Sequence, residues 1–206
     1  MVRVRVASGE QAAIDAASAV LRAGGVVAYP TDTLYGLAVD PRRDDAVRKL
    51  FAIKGRAAAA ALPLIAASPE QASLAGNIGP AEWRLATRFW PGALSLVVPA
   101  RDPVSRRALG GGTTVAVRVP DHAVARALAA GLGFAITATS ANLSGHPPTA
   151  SPDEVAAALG ERLDLLLDGG EAPGGPPSTI VDMRSGRPSL VRAGAIPFDR
   201  VLRSVE

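Results

Sequence analysis

Hydroxyls, an amide and isolated cations gather at a few places in this chain, each beside an apolar run or a helix end. Pro30-Thr31-Asp32-Thr33-Leu34-Tyr35-Gly36 follows the strand-like run Val26–Tyr29, and Thr139-Ser140-Ala141-Asn142-Leu143-Ser144-Gly145 follows a second such run, Phe134–Thr139. Polar turns just past the carboxyl ends of buried strands are where α/β proteins bind ligands. An ordinary turn in which Asp32 bonds its own backbone fits the first of them as well. In the second, small residues (Ala138, Ala141, Gly145) allow close backbone approach, and Ser140, Asn142 and Ser144 supply donors for phosphate oxygens.

The cations are placed one at a time. Lys54-Gly55-Arg56 closes a helix-like segment. Cations there can serve simply as partners of the helix dipole, but two of them flanking one glycine also reach a single anion. Thr114-Val115-Ala116-Val117-Arg118 alternates, so Thr114 and Arg118 share one face of a strand. A strand arginine is costly to bury without an anion. Either an internal carboxylate such as Asp121 satisfies Arg118, or a substrate carboxylate does. Ser178, where a glycine- and proline-rich loop (169–177) meets a strand, and Arg192, at the end of the last strand, complete the set.

Helices are predicted from Ser8-Gly9-Glu10-Gln11 to Gly24-Gly25, over Asp44–Ile53 and Pro80–Phe89, from His122 to Gly131, and from Ser151-Pro152-Asp153-Glu154, where Glu154 closes a capping box. Strands are predicted at 26–29, 62–65, 94–98, 115–119, 134–139, 165–168, 179–182 and 189–192. Some neighbouring strands lack room for a helical crossover. The expected fold class is therefore α/β, a twisted mixed parallel and antiparallel sheet with flanking helices, in a single domain over 1–206. The loop at 169–177 reads as a mobile flap.

The 206 residues are 48% apolar, with a net charge of +3, no cysteine and two histidines, His122 and His146, without metal-ligand spacing. Zinc, iron–sulfur and thiol chemistry are excluded, and no metal site is expected. His122 reads as a capping or surface residue. No apolar run approaches the roughly 18 residues needed to span a bilayer, so a soluble, cytoplasmic protein is expected. The nucleotide fingerprints GxxxxGK[ST] and GxGxxG do not occur in a suitable place.

Taken in order, Pro30–Leu37, Lys54-Gly55-Arg56, Phe89-Trp90-Pro91-Gly92, Arg118-Val119-Pro120-Asp121, Thr139–Gly145, Pro177–Asp182 and Leu190-Val191-Arg192 resemble the YrdC/TsaC family of L-threonylcarbamoyladenylate synthases, from about residue 8 to 196. The resemblance implies a basic concave cleft and a nucleotidyltransferase. It implies condensation of L-threonine, bicarbonate or CO2, and ATP into threonylcarbamoyl-AMP and pyrophosphate, Mg2+ accompanying the ATP without a dedicated protein site. The product serves threonylcarbamoyladenosine modification of tRNA through a downstream transferase complex. By this resemblance Lys54 and Arg56 are catalytic. Lys54, Arg56, Thr114, Ser140, Asn142, Ser144 and Arg192 contact the nucleotide. Thr31, Thr33, Arg118, the Ala138 backbone and Ser178 surround threonine, whose carboxylate supplies Arg118 with its anion, and Tyr35 shapes the wall between the two sites. The chain departs from the family pattern at Ala57 through Ala61 and at Ala66-Ala67, where many members carry polar residues and a histidine. The competing reading is a double-stranded RNA or tRNA-binding module without synthase activity; a third is a carbamoyl-transfer enzyme using carbamoyl phosphate, like the similar domain of hydrogenase maturation factors, whose acylphosphatase and zinc-finger segments do not occur in this sequence.

Overall fold

The apolar run ahead of Pro30 forms β2 (Val27–Tyr29), with no side chain exposed. A continuous apolar run is what a strand covered on both faces requires. The computed structural model in which it sits describes residues 1–6, 10–55 and 61–205. The expected helix start at Ser8-Gly9, together with Arg56 and Ala57–Ala60, lies outside them.

Hydrogen bonding divides the expected mixed sheet into two. One runs β1 (Val2–Arg5), β9 (Leu165–Asp168), β2, β3 (Gly36–Ala38), β8 (Thr139–Ser140). The other runs β11 (Ser189–Arg192), β10 (Thr179–Asp182), β5 (Leu94–Pro99), β6 (Thr114–Arg118), β4 (Leu64–Ile65), β7 (Ile136–Thr137). Both are mixed: β2 runs parallel to β9 and antiparallel to β3, while β5 runs antiparallel to β6 and parallel to β10.

The chain passes from one sheet to the other at Ala138. Before it, Thr137 pairs with Leu64 of β4; after it, Thr139 pairs with Leu37 of β3. The seam is stitched by polar atoms. Thr137 Oγ1 donates to Leu37 O (3.0 Å) and accepts from Val39 N (2.9 Å), and Tyr29 Oη donates to Thr137 O at 3.0 Å. Burial raises the Tyr29 phenol well above its ordinary value, so it stays a donor. The predicted strand 134–139 is thus two short strands in different sheets.

Helices α1 (Gln11–Arg22), α2 (Asp44–Lys54), α3 (Pro69–Ala75), α4 (Pro80–Phe89), α5 (Ala123–Leu132), α6 (Pro152–Leu159) and α7 (Phe198–Leu202) flank the sheets. Among the described residues, no helix is long and apolar enough to cross a membrane. Helix α3 was not predicted, although Ser68 caps it by accepting from Gln71 N at 3.2 Å. Helix α5 ends not at Gly131 but at Gly133, which takes the left-handed conformation at φ 77°. The capping box at Ser151 does not form; Glu154 instead accepts from Thr149 Oγ1.

Gly131 lies inside α5 because α1 crosses it there: a Cβ would collide with Ser18 Oγ. That hydroxyl is buried without a partner among the described residues. An orphaned buried hydroxyl destabilises, so Ser18→Ala is expected to raise stability by about 1 kcal/mol. The melting temperature should rise by about 2–4 °C. A lowered melting temperature would show that the hydroxyl has a stabilising partner.

Candidate active site

The seam between the sheets opens into a cavity of about 500 Å³ whose lining includes Thr31, Thr33, Tyr35, Ser95, Arg118, Ala138, Ser140, Ser178 and Arg192. A second cavity of about 300 Å³ is lined by Lys54, Thr139, Ser140, Asn142, Ser144 and Gly145. Thr139 and Ser140 belong to both, so the two hollows adjoin across β8.

The first polar turn is held by Thr31 and not by Asp32. Thr31 Oγ1 accepts from Thr33 N (3.2 Å) and Leu34 N (3.3 Å) and donates to Leu34 O at 2.7 Å. Asp32 is thereby released to reach across the molecule. Both its oxygens accept from Arg118 Nη1, at 2.7 and 2.9 Å, and Gly92 O accepts from the same nitrogen at 3.2 Å. The internal carboxylate expected for Arg118 therefore exists, but it is Asp32. Asp121 turns its carboxylate toward Arg126, 3.6 Å away, and donates its backbone N–H to Asp32 Oδ2. The idea that threonine supplies Arg118 with a missing anion is corrected accordingly. A ligand carboxylate is left with the Nη2 and Nε edge, since the described bonds all run from Nη1.

Arg192 has a different environment. It donates from Nε (3.1 Å) and Nη2 (2.7 Å) to Ser178 O, and from Nη2 to Ser178 Oγ at 3.0 Å. No carboxylate pairs with it among the described residues. Burial, and then the charge on Arg118, lowers the pKa of its guanidinium. The uncompensated positive charge of the larger hollow is thus that of Arg192. Expected beside the nucleotide, it lines the larger hollow next to Ser178.

Lys54, at the end of α2, is only 4% exposed. Its Nζ donates to Ser140 O (2.6 Å), Asn142 O (3.0 Å) and Asn142 Oδ1 (3.3 Å). Gly55 then takes φ 61°, and Ser144 N bonds Lys54 O at 2.9 Å. The second polar turn is therefore folded around the lysine. Its side chains reinforce it: Ser140 Oγ donates to Asn142 Oδ1, and Asn142 Nδ2 donates to Leu143 O and His146 O.

Tyr35 lines the larger hollow, and burial pushes its phenol up to about 12. Neutral at physiological pH, Tyr35 Oη both donates to Gly170 O (2.8 Å) and accepts from Gly169 N (3.1 Å). Further bonds run from Ala172 N to Ala150 O (2.9 Å) and from Gly174 N to Thr33 O (2.7 Å). The loop expected to be a mobile flap is pinned to the site by backbone and phenol.

Thr114 lies at the far end of β6, paired with Pro99, and lines neither hollow. His122 caps α5 as expected, its Nδ1 accepting from Ala125 N at 3.4 Å, and burial lowers its pKa. Ser95 was missed by the sequence reading. Its signal was a lone hydroxyl in the otherwise apolar Leu94–Val98. Among the described residues no three His, Asp or Glu side chains converge as a metal site.

The model of the Sua5/YciO/YrdC family, described as telomere recombination, matches residues 19–194. The chain is 39% identical over 201 residues to the threonylcarbamoyl-AMP synthase of Pyrococcus abyssi (97% of this chain, 58% of that protein). It is 44% identical over 171 residues to the threonylcarbamoyl-AMP synthase of Halorhodospira halophila (82% of this chain, 90% of that protein). A solved structure of P. abyssi Sua5 complexed with L-threonine superposes with a TM-score of 0.92 at 38% identity, covering 98% of this chain and 60% of that one. The chain thus spans somewhat over half the length of the P. abyssi relative.

Proposed function

This chain belongs to the Sua5/YciO/YrdC family, and from that premise we propose that it is a threonylcarbamoyl-AMP synthase acting on L-threonine, bicarbonate or CO2, and ATP. The observation that carries the reading is the pair of adjoining hollows, one lined by arginine and hydroxyls, the other built on a lysine-pinned polar turn. An amino acid and a nucleotide bound on either side of β8 meet at Thr139 and Ser140.

In this reading Thr31, Thr33, Arg118, the Ala138 backbone and Ser178 surround threonine, with Arg192 beside Ser178 as a second cation. Lys54, Ser140, Asn142 and Ser144 bound the nucleotide. Arg56, two residues beyond Lys54 in sequence, is assigned to the nucleotide by family resemblance alone. The amine of threonine captures CO2 as a carbamate, its proton passing to bicarbonate or solvent. A carbamate oxygen then forms a bond to the α-phosphorus as the bond to pyrophosphate breaks in line. Little covalent work falls to the protein; positioning and charge neutralisation carry such a transfer. Mg2+ bound to the ATP phosphates would supply charge neutralisation for the departing pyrophosphate. The adenylate then passes to a transferase that modifies tRNA.

The test follows pyrophosphate release with ATP, Mg2+, bicarbonate and one amino acid at a time. Release is expected only with threonine and bicarbonate together. Equal release with serine, or none with threonine, rejects the assignment. RNA binding alone gives no reason to bury Arg118 and Ser178 in the wall of a hollow.

A further inference from the structure

Two buried hydroxyls in the larger hollow carry one proton more than they can place between themselves. Ser95 and Ser178 are 1% and 7% exposed, and their Oγ atoms lie 3.0 Å apart. Ser95 sits on β5 opposite Ile180 of β10, and Ser178 immediately precedes β10, so two paired strands fix the distance. Both residues line the cavity.

Arg192 donates to one member of this pair, and an oxygen that accepts from a cation becomes the stronger donor, which favours Ser178 donating to Ser95. A guanidinium donates and never accepts, so the Nη2–H directed at Ser178 Oγ takes one of that oxygen's lone pairs. One hydroxyl proton bridges the two serines. The other has no hydrogen-bond acceptor among the described residues, and both serines line the cavity. With Ser178 donating to Ser95, the pair offers the Ser95 hydroxyl as a donor to whatever fills the hollow. In an apolar strand, with Leu94 and Leu96 fully buried on either side, that donor needs an acceptor. The same region carries the uncompensated charge of Arg192, so the favoured acceptor is an anionic oxygen.

We propose that Ser95 contacts the substrate, and that Arg192, Ser178 and Ser95 form a chain of hydrogen bonds, with no proton transferred, that ends in a hydrogen bond from the Ser95 hydroxyl to a carboxylate oxygen of the amino acid. This rests on the synthase reading, but it assigns a role to a residue that reading does not use.

Calorimetric titration of L-threonine and of ATP, separately, into the wild-type protein, Ser95→Ala, Ser178→Ala and the double variant tests it. Serine to alanine removes one oxygen and leaves the strands intact. Each single variant is expected to weaken threonine about tenfold and ATP less than about twofold. The double is expected to weaken threonine by little more than either single, far short of the about hundredfold that independent sites would give. Ser95→Ala with unchanged threonine affinity overturns the chain of hydrogen bonds, as does equal weakening of ATP, or costs that multiply in the double. A wild-type protein that binds no threonine overturns the functional reading itself, which separates the two failures.

Discussion

Asp32→Ala is expected to lower the stability of this protein by about 3–5 kcal/mol, because it strands a buried guanidinium. Arg118 and Asp32 side chains are 6% and 12% exposed, and the two carboxylate oxygens meet a single nitrogen at 2.7 and 2.9 Å. Gly92 O is the only other described acceptor on that nitrogen, and a carbonyl dipole does not replace a full charge. For a chain of this length the loss corresponds to a fall in melting temperature of about 6–20 °C. The double variant Asp32→Ala/Arg118→Leu should recover most of it, since removing both charges leaves none uncompensated. Urea unfolding of the single and double variants measures the difference directly. If Asp32→Ala costs less than about 1 kcal/mol, water reaches Arg118 and the pair is not the internal counter-charge described here. The same balance bears on ligand choice. With Arg118 offset by Asp32, the described residues of the hollow hold one net positive charge, on Arg192. It therefore suits one carboxylate better than a dianion.

Local signals were legible and distant pairings were not. Pro80 and Pro152 mark helix starts because proline suits the first helical turn, and both helices begin there. Ser68-Pro69-Glu70-Gln71 carried an equally local signal for α3, and it was overlooked. The division into two sheets was hidden for a different reason. It depends on Thr137 finding Leu64 and Thr139 finding Leu37, partners that no local pattern names. Asp32 and Arg118 repeat the lesson within the site. Asp121 is three positions from the arginine and Asp32 is far off in sequence, yet tertiary packing selects the distant carboxylate. The polar turns and single cations were visible as candidates because their residue types are unusual beside buried strands. Which of them share a hollow was not visible. Thr114 and Arg118 alternate onto one face, but three residues of extended strand separate them, and only Arg118 reaches the cavity.

Lys54→Met is expected to weaken ATP by about a hundredfold and threonine by less than about threefold. Methionine keeps the apolar stem and removes the ammonium, so the change isolates what the charge does. That ammonium holds Ser140 O, Asn142 O and Asn142 Oδ1 at 2.6, 3.0 and 3.3 Å. Charge-assisted bonds of this kind contribute about 1.5–3 kcal/mol each when intact. Without them the turn that carries Ser140, Asn142 and Ser144 loses its anchor, and a hundredfold loss in affinity equals about 2.7 kcal/mol. The larger hollow depends on the turn only through Thr139 and Ser140, hence the small effect on threonine. If Lys54 serves the nucleotide through the shape of the turn it holds, AMP should weaken by the same factor as ATP. A loss confined to ATP would assign the lysine to the phosphates directly. Equal weakening of ATP and threonine would show that the two hollows are one site and that the division across β8 is wrong.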